Sequence, residues 1–265
     1  MNVNYSIYSE YIRSKFFIMS SIIKLRGKGV SRIINSKVML SPLAGVTDKI
    51  FRKLVRKWAP ESLLFTEMIN ATSLKHGYGT QKIKQLELEK GPIGVQIFDN
   101  RPFAVSEAAK LAEDSGAFLI DINMGCPVKK ISRKGGGSAL INDRLLAIEL
   151  VKRVSNAVKV PVTVKTRLGW ENKEENIEEF LLSLQDAGAE MITLHGRTRK
   201  EGFSGKADWE MIGKIKELLE IPVIANGDIK NPKDAFNCFK KTNADGLMIG
   251  RGILGSPWKI GEIDY

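Results

Sequence analysis

The residues best suited to chemistry lie in 121–127, Asp-Ile-Asn-Met-Gly-Cys-Pro. Cys126 follows an apolar run and is flanked by Gly125 and Pro127, so it occupies a shaped loop with restricted backbone freedom. A lone cysteine is ordinarily a small buried hydrophobe. Its loop position beside Asn123 instead favours a reactive thiol, acting as nucleophile or as proton donor. No triad in the sequence selects the nucleophile. Lys165 ends the run Val162-Thr163-Val164, where an inward ammonium could form a Schiff base or bind an anion. His195, one of two histidines, ends the next run and is a candidate polar group of the same site. Cys238 falls inside an amphipathic stretch and reads as core.

Two later segments have the composition of a phosphate site. Asn226-Gly227-Asp228-Ile229 and Gly250-Arg251-Gly252 each follow an apolar run. Glycine exposes backbone amides to an anion, and Arg251 would add a bidentate charge. Lys129, Lys130, Arg133 and Lys134 lie beside Cys126, next to the triplet Gly135–Gly137. Arg197, Arg199 and Lys200 follow His195. Two basic loops at one mouth favour a polyanionic substrate over plain solvated surface.

Such residues can converge only if the elements before them are aligned. Short apolar runs recur near 38–42, 63–67, 93–98, 118–123, 161–166, 190–195, 221–226 and 245–250. They are continuously apolar, as expected of strands buried on both faces of a parallel sheet. Amphipathic stretches at 102–115, 142–158, 174–187, 208–220 and 232–241 separate them, with helix starts at Asn142-Asp143 and Asn231-Pro232. Eight strands with intervening helices predict an α/β fold of the (β/α)8 TIM-barrel type. A doubly wound open sheet ranks lower, because no strand-Gly-x-Gly-x-x-Gly-helix unit is present. In a barrel the active face lies at the carboxyl ends of the strands. Thr66, Glu67, Gln96, Asn123, Lys165, His195, Asn226 and Arg251 all fall there.

Composition sets the outer bounds. The chain has 265 residues, 43% hydrophobic and 27% charged, as in an ordinary globular protein. No apolar run is long enough for a membrane span. Two cysteines without close spacing argue against a zinc site and suit a reducing, cytoplasmic setting. The net charge of +11 fits a nucleic-acid partner or a lysine-rich surface. Residues 1–36 form a basic extension with six cations and one acid, read as a disordered or targeting segment or as a start placed upstream of Met19. The barrel is assigned to 37–265.

Together, Ser41-Pro42-Leu43-Ala44-Gly45-Val46-Thr47-Asp48, Asn123-Met124-Gly125-Cys126-Pro127, Lys165-Thr166-Arg167, His195-Gly196-Arg197-Thr198 and Asn226-Gly227-Asp228-Ile229 resemble the tRNA-dihydrouridine synthases. The resemblance runs in order from about 38 to 258. It implies an FMN-dependent barrel enzyme that reduces particular uridines in tRNA to 5,6-dihydrouridine with NADPH as electron source, working as a metal-free monomer. Carried over residue by residue, Pro42, Leu43 and Ala44 would line the isoalloxazine, and Gln96 and Lys165 would bond its polar edge. Asn226, Gly227, Asp228, Gly250 and Arg251 would hold the ribityl phosphate. Asn123 and His195 would contact flavin or uracil, and Lys129, Arg133 and Arg197 would contact the RNA. Cys126 would be the general acid.

The implied chemistry is coherent. Hydride from reduced flavin reaches C6 of uracil, and a thiol protonated at neutral pH supplies the proton at C5. Two departures stand out. Leu43 replaces a common methionine. The chain also stops at Tyr265, where the family usually continues into a helical domain, so a truncated barrel with Ile249, Ile253 and Leu254 uncovered is expected. Two other readings stay open at this point: a different barrel enzyme (an FMN reductase of small metabolites or a Lys165 Schiff-base lyase), and an inactive RNA- or flavin-binding protein.

Overall fold

Each of the eight apolar runs forms a strand. A computed structural model describes residues 22–75, 77, 79–172 and 176–264. Within it, β3 (Val38–Leu40), β4 (Leu64–Phe65), β6 (Ile93–Phe98), β7 (Leu119–Asn123), β8 (Val162–Arg167), β9 (Ile192–His195), β10 (Val223–Asn226) and β11 (Gly246–Ile249) pair in parallel. Leu40 pairs with Leu64 on one side and Ile249 on the other, which closes the sheet into a barrel. The second barrel strand breaks at 66–68 and resumes as β5 (Ile69–Asn70) beside Ile97 and Phe98. That break was not visible in the apolar run 63–67.

The helices follow their apolar stripes: Pro102–Asp114, Arg144–Ala157, Ile177–Asp186, Trp209–Leu218 and Pro232–Thr242. Three begin at side-chain caps, with Asp143, Asp208 and Asn231 accepting from the amides of Leu146, Met211 and Asp234. Their inner faces and the outer faces of the strands make one continuous apolar layer.

A second apolar cluster seals the amino-terminal end. β1 (Ile23–Arg26) and β2 (Ser31–Ile34) form an antiparallel hairpin. Its alternation buries Ile23, Leu25 and Ile34 against Met39, Phe65, Leu119 and Ile224. A Cβ on Gly246 would lie 3.2 Å from Ile23. The described part of the basic 1–36 stretch is thus packed floor beneath the barrel, a role its charge concealed, and residues 1–21 lie outside the described residues.

The far end also differs from expectation. Ile249 and Ile253 are buried, at 1% and 0% exposure. Helix Lys259–Asp264 buries Ile260 and Ile263 beside them. A Cβ on Gly261 would lie 2.4 Å from the Trp58 carbonyl oxygen, so the close approach of this helix requires glycine. Leu254 and Trp258 remain partly exposed.

Candidate active site

A cavity of about 610 Å³ opens at the carboxyl ends of the strands. Pro42, Leu43 and Ala44 line it, as do Asn123, Cys126 and Lys165. His195, Arg197, Asn226, Gly227, Asp228, Gly250 and Arg251 complete the residues expected from sequence. Three expected residues do not line it. Gln96 is buried, at 1% exposure, and hydrogen-bonded to Asn123, which does line the cavity. Lys129 and Arg133 lie in and just after the short helix Lys129–Ser132, beyond the Pro127-Val128 rim.

The Cys126 loop is held from several sides. The Asn123 side-chain oxygen accepts the amides of Gly125 at 3.2 Å and Cys126 at 3.0 Å. The Ser138 amide donates to the Cys126 carbonyl, and Gly137, at φ +59°, leaves 3.1 Å for the Cys126 Cβ against its own missing side chain. The glycine triplet therefore supports the thiol loop and is more than a flexible linker. Burial pushes the Cys126 thiol up, against weaker opposite pulls from the Val128 amide and the charges of Arg167 and Lys165. The group is a thiol, and a proton donor, at neutral pH.

Lys165 Nζ donates to Asn226 Oδ1 at 2.9 Å, and Asn226 Nδ2 donates to the Met248 carbonyl at 2.7 Å. Burial, reinforced by the Arg167 charge, lowers Lys165 to about 8. The Asn226 amide thus orients Lys165 against the wall of the cavity.

Arg197 is held by several partners. Its guanidinium is 1% exposed and donates to the carbonyls of Ser204 and Gly205 and to the Asp228 carboxylate at 2.7–2.8 Å. These bonds hold it in the cavity wall between the loop after β9 and Asp228. Asp228 cannot hold a phosphate through its carboxylate, since like charges repel. The Ala207 amide and Arg197 keep it below the usual range although burial alone would raise it. What this turn can offer an anion is backbone, with Gly227 at φ +121° and Asp228 at φ +59°.

His195 lies 3.3 Å from Arg197 Nη1 through Nε2. A guanidinium only donates, so Nε2 accepts and the ring proton sits on Nδ1. Burial and then the positive charges of Lys165, Arg167, Arg197 and Arg251 press its pKa far down, so the ring is neutral.

Sequence reasoning missed Met68, Arg167, Phe203 and Lys230, all of which line the cavity. Arg167 binds the carbonyls of Gly125, Thr198 and Gly202, tying the Cys126 loop to the loop after His195. Its place two residues after Lys165, on the same face of a strand, was the available signal. Phe203 sits 57% exposed beneath the Arg251 guanidinium, 4.0 Å from the ring centroid. The signal there was one aromatic between Gly202 and Gly205.

The residues fit a flavin mononucleotide. The apolar strip Pro42–Ala44 suits a ring system. Lys165 keeps donors beyond the one given to Asn226. The Gly227 turn, Lys230 and Arg251 collect amides and charge in the same cavity. Among the described residues no group of three His, Cys, Asp or Glu could hold a metal, and no helix is long and apolar enough to cross a membrane.

Comparison with known proteins gives the kinship. Residues 39–265 match the family model described as Dihydrouridine synthase (Dus). The chain is 52% identical over 235 residues to the "Probable tRNA-dihydrouridine synthase 1" of Synechocystis sp., covering 89% of this chain and 66% of that protein. It is 42% identical to the "tRNA-dihydrouridine synthase B" of Xanthomonas axonopodis pv. citri, covering 88% of this chain and 70% of the relative. It therefore spans about two thirds of the length of these relatives. A histamine dehydrogenase from Rhizobium sp. 4-9 superposes with a TM-score of 0.70 at 15% identity, covering 92% of this chain and 47% of that one, which shows the shared barrel alone. With the matched span running through nearly the whole barrel and every cavity-lining strand end inside it, the chain belongs to the dihydrouridine synthase family.

Proposed function

We propose that this protein reduces uridine in tRNA to 5,6-dihydrouridine, with FMN as cofactor and NADPH as reductant, in the cytoplasm. The family is one of flavin-dependent tRNA uridine reductases. One observation carries the reading for this chain: a protonated thiol on a pinned loop lines the same cavity as Lys165 and the Gly227–Arg251 anion end.

When bound, the reduced flavin supplies hydride to C6 of the uracil. Cys126 releases its proton to C5, and the resulting thiolate is reprotonated from water. Lys165, aimed by Asn226, would donate to the polar edge of the flavin, with Pro42, Leu43 and Ala44 against its ring. The Gly227 and Gly250 backbones and Arg251 would hold the phosphate. Neutral His195 offers its Nδ1–H to a carbonyl oxygen of the uracil or the flavin. Lys129 and Arg133, exposed on the rim, would neutralise RNA phosphates.

The test is dihydrouridine content of tRNA, read by mass spectrometry, in cells lacking the gene and in cells given it back. Unchanged dihydrouridine in both would reject the function. A flavin spectrum of the purified protein separates this reading from a Lys165 Schiff-base lyase, which needs no flavin.

A further inference from the structure

One buried carboxylate has no part in the chemistry above. Asp121, on β7, has no solvent exposure. Its Oδ1 accepts from the Thr163 hydroxyl and its Oδ2 from Gln96 Nε2, both at 2.6 Å. Gln96 Oε1 accepts from Asn123 Nδ2 at 2.8 Å. Asn123 Oδ1 then accepts the Gly125 and Cys126 amides. An unbroken chain of hydrogen bonds thus runs from β8 through β7 and β6 to the loop that carries the thiol.

The sense of every bond in this chain is forced. A backbone N–H only donates, so Asn123 turns its oxygen to the loop and its amino group to Gln96. Gln96 consequently presents oxygen to Asn123 and its amino group to Asp121. A carboxylate only accepts, so the far end demands the same order. The two ends agree, which leaves neither amide a second orientation of comparable energy. An apolar residue at 96 or 121 would leave the Asn123 amide without that restraint.

We propose that Asp121 and Gln96 are positioning residues for Cys126: together they lock the Asn123 amide and so hold the thiol loop facing the cavity. The kinetic consequence rests on the function proposed above, whereas the thiol consequence rests on the loop alone.

The test compares the FMN-loaded parent with Gln96→Met, Asp121→Leu and Asp121→Asn. Labelling of Cys126 by iodoacetamide at one pH is followed by peptide mass spectrometry, with buried Cys238 as internal reference. Gln96→Met and Asp121→Leu are expected to speed Cys126 labelling about tenfold, the size of a local opening freed by about 1.4 kcal/mol. They are also expected to lower kcat for uridine reduction by about tenfold, with KM for tRNA and the flavin spectrum nearly unchanged. Asp121→Asn retains an acceptor for Gln96 and should behave like the parent. Parent-like labelling and kcat in folded Gln96→Met would overturn the proposal. Should Gln96→Met and Asp121→Leu not fold, Gln96→Ala removes both of the Gln96 side-chain bonds without added bulk, and unchanged labelling there would overturn it equally. A parent without uridine reduction would sink the function while the labelling comparison still decides the positioning role.

Discussion

Arg197 Nη2 donates to both oxygens of Asp228, at 2.8 and 2.7 Å, across 31 positions of sequence. This pair joins the loop after β9 to the turn after β10, and Asp228 adopts φ +59° to make it. Arg197 is almost wholly buried while Asp228 keeps about a quarter of its surface. Loss of the carboxylate therefore strands a desolvated guanidinium beside neutral His195.

Asp228→Ala should accordingly lower unfolding stability by about 3 kcal/mol, the lower end for a broken buried pair because Asp228 is partly solvated. Urea denaturation monitored by circular dichroism measures it. A loss under 0.5 kcal/mol would show that water replaces the carboxylate at no cost.

Cys126→Ala should leave flavin content unchanged and reduce uridine turnover by about 10²–10⁴-fold, the usual worth of a positioned proton donor. Single-turnover oxidation of the flavin by tRNA reads the step directly. Turnover equal to the parent would assign the proton to another group.

Gly227→Ala addresses the turn that faces the anion end. Its φ of +121° is outside the range of side-chain-bearing residues, and a Cβ would lie 2.8 Å from Ala207 and 3.0 Å from the His195 ring. The variant should lose about 1–3 kcal/mol of stability and retain less FMN. Full flavin retention with an unshifted melt would place the phosphate elsewhere.

Much of this site was legible before the structure, for a physical reason. Strands buried on both faces must be continuously apolar, so the first polar residue after each run announces a strand end. That logic located Asn123, Lys165, His195 and Asn226. It could not tell a ligand contact from a supporting one. Arg197 reads from sequence as a substrate cation, and nothing there shows that it also ties Ser204, Gly205 and Asp228 together. Gln96 looks like a cavity residue until its amide is found between Asp121 and Asn123. Those assignments depend on partners 7 to 31 positions away, and hydrogen-bond direction leaves no imprint on hydropathy. The hairpin Ile23–Ile34 was hidden likewise, because its two short alternating strands are interleaved with charge.

The pH dependence of flavin binding tests Lys165. In the free protein its pKa is lowered to about 8 by burial and by Arg167. Below that pH the ammonium can donate to the acceptor edge of a flavin. Above it the amine binds more weakly, so FMN affinity should fall as pH rises through about 8. Folding carries the opposite sign. Between about 8 and the ordinary lysine value of 10.5 the unfolded chain binds more protons than the native one, so this group's contribution to stability rises with pH. The contribution to stability is at its least below pH 8, where the buried ammonium is charged. Lys165→Met should remove both dependences, leaving FMN binding weaker and flat across the range. Fluorescence titration of FMN at several pH values, with thermal melts of flavin-free protein at the same values, measures the two trends. A parent whose FMN affinity stays constant through pH 9 would show that the Lys165 proton takes no part in holding the cofactor.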